Sequence, residues 1–323
     1  MGNVNIESKL TIDRMQELIF ASNFKKYAHY QSIFTKRTTL ECIIERKGSI
    51  AIAVLLHKEN ISRRYEMKNT CIDEDFGFFS AHSEDKVLHI KFKKNLLEHL
   101  SNIKKRDFVA DFMNHLSKSD DIKVVLLNSD FQETGCEAYT RFFFEKSKTR
   151  DMFDIHRLCN ITSQLVLSII GLDKIVIHAC QGSVISLFLN ISLACDYRIA
   201  ANNTVFCNPY LDIGLIPLGG GPYFLSKMIG TGKTWETLLL NKDFDAQQAL
   251  KLGLVDHIIT SSDFDSNALK IAHKFADNHE GTIKSLKKLI NFSKKDIGAY
   301  FETEKQEIIK LLNSNDFSKM FKD

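Results

Sequence analysis

An α/β fold is what this sequence predicts, and three observations predict it. From residue 86 onward, short apolar runs alternate with stretches of helical spacing. Hydrophobic residues make up 44% of the 323, enough for a sizeable core and too many for a disordered chain. Only three prolines and fifteen glycines occur, which excludes collagen-like, low-complexity and long-linker architectures. Strands separated by helices indicate layered packing in which crossovers bury the strands.

The elements follow in order. Residues 6–30 carry apolar side chains at helical spacing (Ile12, Met15, Leu18, Ile19), with Thr11 or Asp13 placed to cap them. Two apolar runs, 40–45 and 49–56, flank Arg46-Lys47-Gly48 and read as a hairpin. A polar stretch, 59–75, has no apolar period and marks a boundary. The next pattern predicts strands at 87–92, 122–127, 174–179, 197–200, 204–206 and 254–258. Helices are predicted at 108–116, 151–170 and 187–194, and the chain is mostly helical from about 222. The division is therefore a small N-terminal αβ extension (1–80), an α/β core (81–260) and a helical C-terminal region (261–323).

Charge and cysteine content narrow the function classes. Lys and Arg number 43 and Asp and Glu 40, a net +3 that gives no reason to expect a nucleic-acid or membrane partner. The seven cysteines include no C-x-x-C pair, so reduced thiols are expected rather than a disulfide framework or zinc knuckle. The first twenty residues lack a signal-peptide apolar core, and the apolar run 165–170 is far short of the roughly 20 residues a bilayer needs. A soluble, cytoplasmic protein is the expectation. No H-E-x-x-H, G-x-G-x-x-G or Walker-type lysine motif occurs, so neither a metal nor a nucleotide is implied. Gly219-Gly220-Gly221-Pro222 opens an apolar helix that ends near Gly230, a pattern for tight entry with positive φ. Lys284, Lys287, Lys288, Lys294 and Lys295 alternate with Ile283, Leu286, Leu289 and Ile290, as on a solvated helix face or a phosphate-contacting one.

Three segments carry a family likeness: Ala194-Cys195-Asp196-Tyr197-Arg198-Ile199-Ala200, the run from Phe206 through Pro209-Tyr210 and Gly214-Leu215-Ile216-Pro217 to Gly221, and Ala246 to Asp256 with Gly253-Leu254-Val255-Asp256. In order and spacing they resemble the crotonase superfamily (enoyl-CoA hydratase/isomerase family). The resemblance implies a crotonase-like ββα superhelix with a helical C-terminal region. It also implies an acyl thioester of coenzyme A, or of an acyl-carrier protein, as ligand. Coenzyme A would then enter as part of the substrate, with no tightly bound cofactor. A homotrimer or hexamer is implied too.

In such proteins two backbone N–H groups hold the thioester oxygen as an enolate or oxyanion forms, a contribution of roughly a few kcal/mol. The resemblance assigns these amides to Cys136 and to Leu187, with Ser186 as helix N-cap. The family's glycine run is here Ser186, Leu187 and Phe188. Hydratases of the family carry glutamates where this chain has Asn190 and Tyr210. Hydration needs a base for water and an acid for the α-carbon, and neither amide nor phenol replaces a carboxylate pair. Other acid/base candidates are Glu133, Glu137, Asp212, His156 and His178. The resemblance further assigns Lys287 or Lys288 to the ribose phosphate of coenzyme A, and places Lys93 and Lys94 near the pyrophosphate. The family's lysine beside the first amide is replaced by Tyr139, with Arg141 two residues on. Two functions compete: an isomerase, decarboxylase or thioesterase working by oxyanion stabilisation, and a non-catalytic binder or scaffold.

Overall fold

The structure, a computed structural model, describes residues 72–77, 79–93, 112–130, 136–148, 152–240 and 243–314. The expected helix and hairpin of residues 6–56 lie outside these, as do Glu133 and Lys94.

Three strands come first: β1 (Asp73–Asp75), β2 (Phe79–Glu84) and β3 (Val87–Phe92). Helical residues 112–118 (α1) precede β4 (Val124–Asp130), α2 (Cys136–Lys148) and α3 (Met152–Gly171). Then come β5 (Ile175–Gln181), β6 (Ser183–Ile185), α4 (Ser186–Ala194), β7 (Tyr197–Ala201) and β8 (Val205–Cys207). The remainder contains α5 (Gly221–Met228), α6 (Gly230–Trp235), β9 (Asp243–Asp245), α7 (Ala246–Leu252), β10 (His257–Ile259), α8 (Phe264–Ala276), α9 (Glu280–Ile290) and α10 (Ile297–Leu312).

One seven-stranded sheet runs β1-β2-β3-β4-β5-β7-β10, and a smaller one runs β6-β8-β9. In the large sheet β1, β2 and β3 pair antiparallel and the others parallel. Parallel strands need cover on both faces, and period-2 alternation supplies two apolar sets. Val125 and Leu127 belong to the main core with α2 and α3. Val124 and Leu126 face the other way, against Ala268, Ala272 and Ala276 of α8. Alanine every fourth residue lets that helix lie close to the sheet.

The family-like motifs have structural jobs. Asp196 accepts from Val176 N at 2.7 Å, joining the turn after α4 to β5. Asp256 accepts from Arg198 N at 2.9 Å and pairs with its guanidinium at 2.7 Å, fixing β7 beside the approach to β10. The last strand begins at His257 rather than residue 254. Gly253, at φ 76°, ends α7 in the left-handed region, and Leu254 and Val255 then turn into the core. Four strands, β1, β2, β6 and β9, and helix α2 were not expected.

Candidate active site

Helix α4 grows directly out of β6. Ile185 is its N-cap, in extended conformation, and no side chain caps the helix. Ser186, expected as the N-cap, is instead the first helical residue, and its buried Oγ has no hydrogen-bond partner among the described residues. Leu187 follows in the first turn, where helix N–H groups lack intrahelical acceptors. Its side chain and that of Phe188 are buried. Cys136 opens α2 and is half-buried. Cys207 adjoins β6: its backbone pairs with Ile185, and its Sγ lies 3.3 Å from Ser183 Oγ.

Asn190 and Tyr210, which the resemblance set at the acid/base positions, are turned to structural use. Asn190 is buried and donates from Nδ2 to Leu218 O at 2.9 Å. A Cβ on Gly221 would lie only 2.7 Å from Asn190 Oδ1, so glycine is what allows the loop to approach α4. Tyr210 is buried and donates its hydroxyl to Leu238 O at 3.1 Å; burial pushes its phenol up from the ordinary value, keeping it neutral. Tyr139 is also buried, and its phenol is pushed up by burial.

A carboxylate does occur nearby, though the sequence reading passed over it. Glu304 of α10 is 4% exposed and accepts from Gly219 N at 2.9 Å and Gly220 N at 2.8 Å. Burial pushes its pKa up to about 7, against the opposing effect of those two N–H groups and the Tyr300 hydroxyl. Both glycines hold positive φ (95° and 86°), as expected for this turn. The backbone at Gly219 packs against Leu187, Asn190 and Thr162.

Other expected site residues fall elsewhere. Lys287, assigned to a ribose phosphate, is 4% exposed. Its ammonium is held by Asp196 Oδ2 at 2.7 Å, Lys174 O at 2.7 Å and Ile169 O at 3.1 Å. A cation enclosed by three acceptors is a strut and cannot reach a solvent-borne phosphate. Lys288 is exposed on the same helix. Lys93 is ion-paired with Asp75 at 2.5 Å. Glu137 is exposed in the first turn of α2, where its charge suits the helix N-terminus. Asp212 is exposed in a 3₁₀ turn, Leu211–Ile213, so it does not share a side with Tyr210 as an extended segment would require. His178 is buried with Nε2 3.0 Å from Ser129 Oγ, and burial lowers its pKa to about 4. Burial also lowers that of half-buried His156. Among the described residues no cluster of His, Cys, Asp and Glu could hold a metal ion, and no helix is long and apolar enough to cross a membrane.

A family model described as enoyl-CoA hydratase/isomerase matches residues 84–321. The chain belongs to that family. A short-chain-enoyl-CoA hydratase of Clostridium acetobutylicum is 30% identical over 148 residues, 42% of this chain and 57% of that protein. This chain thus spans little more than half the length of that relative. A probable mitochondrial enoyl-CoA hydratase 2 of Arabidopsis thaliana is 24% identical over 77% of this chain and 79% of its own. Among solved structures, the enoyl-CoA hydratase of Bacillus halodurans superposes with a TM-score of 0.66 at 19% identity, covering 76% of this chain and 98% of that one. One from Mycobacterium avium subsp. paratuberculosis gives 0.63 at 20%, over 76% and 95%. These superpositions show the crotonase fold.

Proposed function

We propose that this enoyl-CoA hydratase/isomerase family member binds acyl-CoA thioesters through the main-chain amides of Cys136 and Leu187 and does not hydrate them. The observation that carries this reading is the engagement of both acid/base positions with main-chain carbonyls, Asn190 with Leu218 and Tyr210 with Leu238. Neither side chain can hold or move a proton for substrate while so engaged, and the raised phenol of Tyr210 is a poor base. The same engagement leaves neither side chain free to orient a substrate, which disfavours the enzymatic alternative. The names of the relatives support acyl-CoA over a carrier protein as the thioester source.

The test is calorimetric titration with butyryl-CoA beside an assay of crotonyl-CoA hydration, read from loss of the conjugated thioester's ultraviolet absorbance. Micromolar binding without turnover is expected. Tyr210→Phe should leave affinity within about twofold and lower stability by about 1 kcal/mol, the typical net value of one hydrogen bond. Crotonyl-CoA turnover by the wild type overturns the proposal, as does absence of binding, and a tenfold drop in Tyr210→Phe or Asn190→Ala would assign that turnover to these two side chains.

A homo-oligomer belongs to the same reading. Leu289, Ile290 and Phe292 are 71%, 64% and 64% exposed, and Trp235 and Leu240 are 60% and 78% exposed. Apolar surface of this kind on a soluble chain calls for cover. Light scattering on the eluted protein should return three or six times the chain mass of 37.0 kDa. A monomer at micromolar concentration removes this part of the proposal.

A further inference from the structure

Helix α4 is buried along all nine of its residues, and its start carries unmet polarity. The first N–H groups of a helix lack intrahelical acceptors and draw a side-chain cap, water or a ligand. Ile185, at the N-cap, has no polar side chain to offer, and the first turn holds no acidic residue. Nothing within the helix therefore offsets its positive end.

The Ser186 hydroxyl is unmet as well. Ser186 is 3% exposed, and its Oγ has no hydrogen-bond partner among the described residues. Hydroxyls inside helices can turn back to the carbonyl four residues earlier. Thr140, Ser163, Thr234 and Thr303 do so, with Cys136, Cys159, Gly230 and Ala299. For Ser186 that carbonyl belongs to Gly182, which precedes the helix and already accepts from Val205 N at 2.9 Å. Cα–Cβ bonds tilt toward a helix's N-terminus, so the side chain of a first helical residue projects at the open end. The hydroxyl thus stands beside the N–H of Leu187. A buried hydroxyl left unpaired is costly, and an acceptor oxygen on a ligand removes that cost.

We propose that the Ser186 hydroxyl donates to the carbonyl oxygen of the bound acyl thioester, as a third donor beside the main-chain amides of Leu187 and Cys136. The side chain that replaces a glycine of the family's run thereby adds a contact to the ligand. Donors gathered at a helix N-terminus favour an oxygen rich in negative charge, which a thioester carbonyl presents and a thioether lacks. This role rests on the proposed binding of acyl-CoA.

The experiment titrates the full chain calorimetrically with butyryl-CoA and with S-butyl-CoA, the thioether analogue that has no carbonyl oxygen. Ser186→Ala should weaken butyryl-CoA about fivefold, the worth of one net hydrogen bond, and leave S-butyl-CoA affinity unchanged. Ser186→Gly also removes the hydroxyl and should repeat the result, so the test stands if the alanine variant fails to fold. In urea unfolding of the free protein, Ser186→Ala should match or exceed the wild-type midpoint, since no bond within the fold is lost. Equal butyryl-CoA affinity in wild type and variants overturns the role of Ser186 and leaves acyl-CoA binding standing. So does an equal loss for both ligands, or a lower midpoint, because either places the hydroxyl's partner inside the protein. If the wild type binds no butyryl-CoA, the proposed function fails and this role falls with it.

Discussion

Glu304→Ala is expected to cost about 3–5 kcal/mol of stability, since each buried N–H left without an acceptor costs about 1–3 kcal/mol. The carboxylate is the acceptor for Gly219 N and Gly220 N, in a turn that only glycine adopts readily, and that turn lies against Leu187 and Asn190 of α4. Glu304→Gln separates charge from hydrogen bonding. It keeps one acceptor oxygen and cannot ionise. Burial has raised the folded pKa to about 7, from an ordinary 4.5. A raised folded value means that the folded state holds the proton where the unfolded state has lost it. The resulting stabilisation is full below about pH 4.5 and is lost as pH rises through about 7. At about 1.4 kcal/mol per pH unit, the loss reaches about 3 kcal/mol. His178 acts in the opposite sense, because its folded pKa is lowered to about 4 and stability is lost as pH falls from about 6.5. The wild-type profile alone therefore mixes the two. The difference between wild type and Glu304→Gln isolates the carboxylate: urea unfolding should show the glutamine variant gaining on wild type between pH 5 and 8. Parallel profiles would mean that Glu304 is ionised across the range.

How much of this was legible in the sequence depended on whether the signal was local. The strand at 87–92 and the central parallel strands are short, continuous apolar runs, and their positions follow from the need to bury both faces. β1 consists of Asp73, Glu74 and Asp75, all exposed, so no apolar alternation announced it; antiparallel pairing with β2 holds it in place. α2 was not expected, although Tyr139, Phe142 and Phe143 form a buried face at helical spacing. Glu304 and Lys287 carried a signal that was there to find. Ile297, Phe301, Ile308 and Leu312 make one buried stripe of α10, and Glu304 sits in it. Lys287 stands four residues after buried Ile283, on the same helix face, while Leu286, Leu289 and Ile290 point outward. An ionisable residue in register with a buried stripe needs a partner inside. The partners themselves, Gly219 and Gly220 for one and Asp196 for the other, are tertiary facts that no local period encodes.

Lys287→Ala should lower stability by about 3–5 kcal/mol, as expected when one partner of a buried pair is removed. Three acceptors lose their donor at once: Asp196 Oδ2 and the carbonyls of Ile169 and Lys174. Those groups belong to the turn after α4, the end of α3 and the approach to β5, so one ammonium joins three segments to α9. Asp196 is not wholly orphaned, because it keeps the bond from Val176 N. The charge is the expensive part, since a carboxylate with little solvent around it loses the ammonium paired with it. Lys287→Met combined with Asp196→Asn removes both charges, and it should recover at least half of the loss seen with Lys287→Met alone. Urea midpoints at constant slope measure each step. The same variants decide between two roles for this lysine. As a strut it controls stability, and folded Lys287→Met protein at low temperature should bind butyryl-CoA with unchanged affinity. As the phosphate contact that the family likeness implied, it would do the reverse: affinity would drop at least tenfold and the unfolding midpoint would hold. Lys288, exposed on the adjoining face of α9, supplies the control, since Lys288→Ala should leave the midpoint where it is.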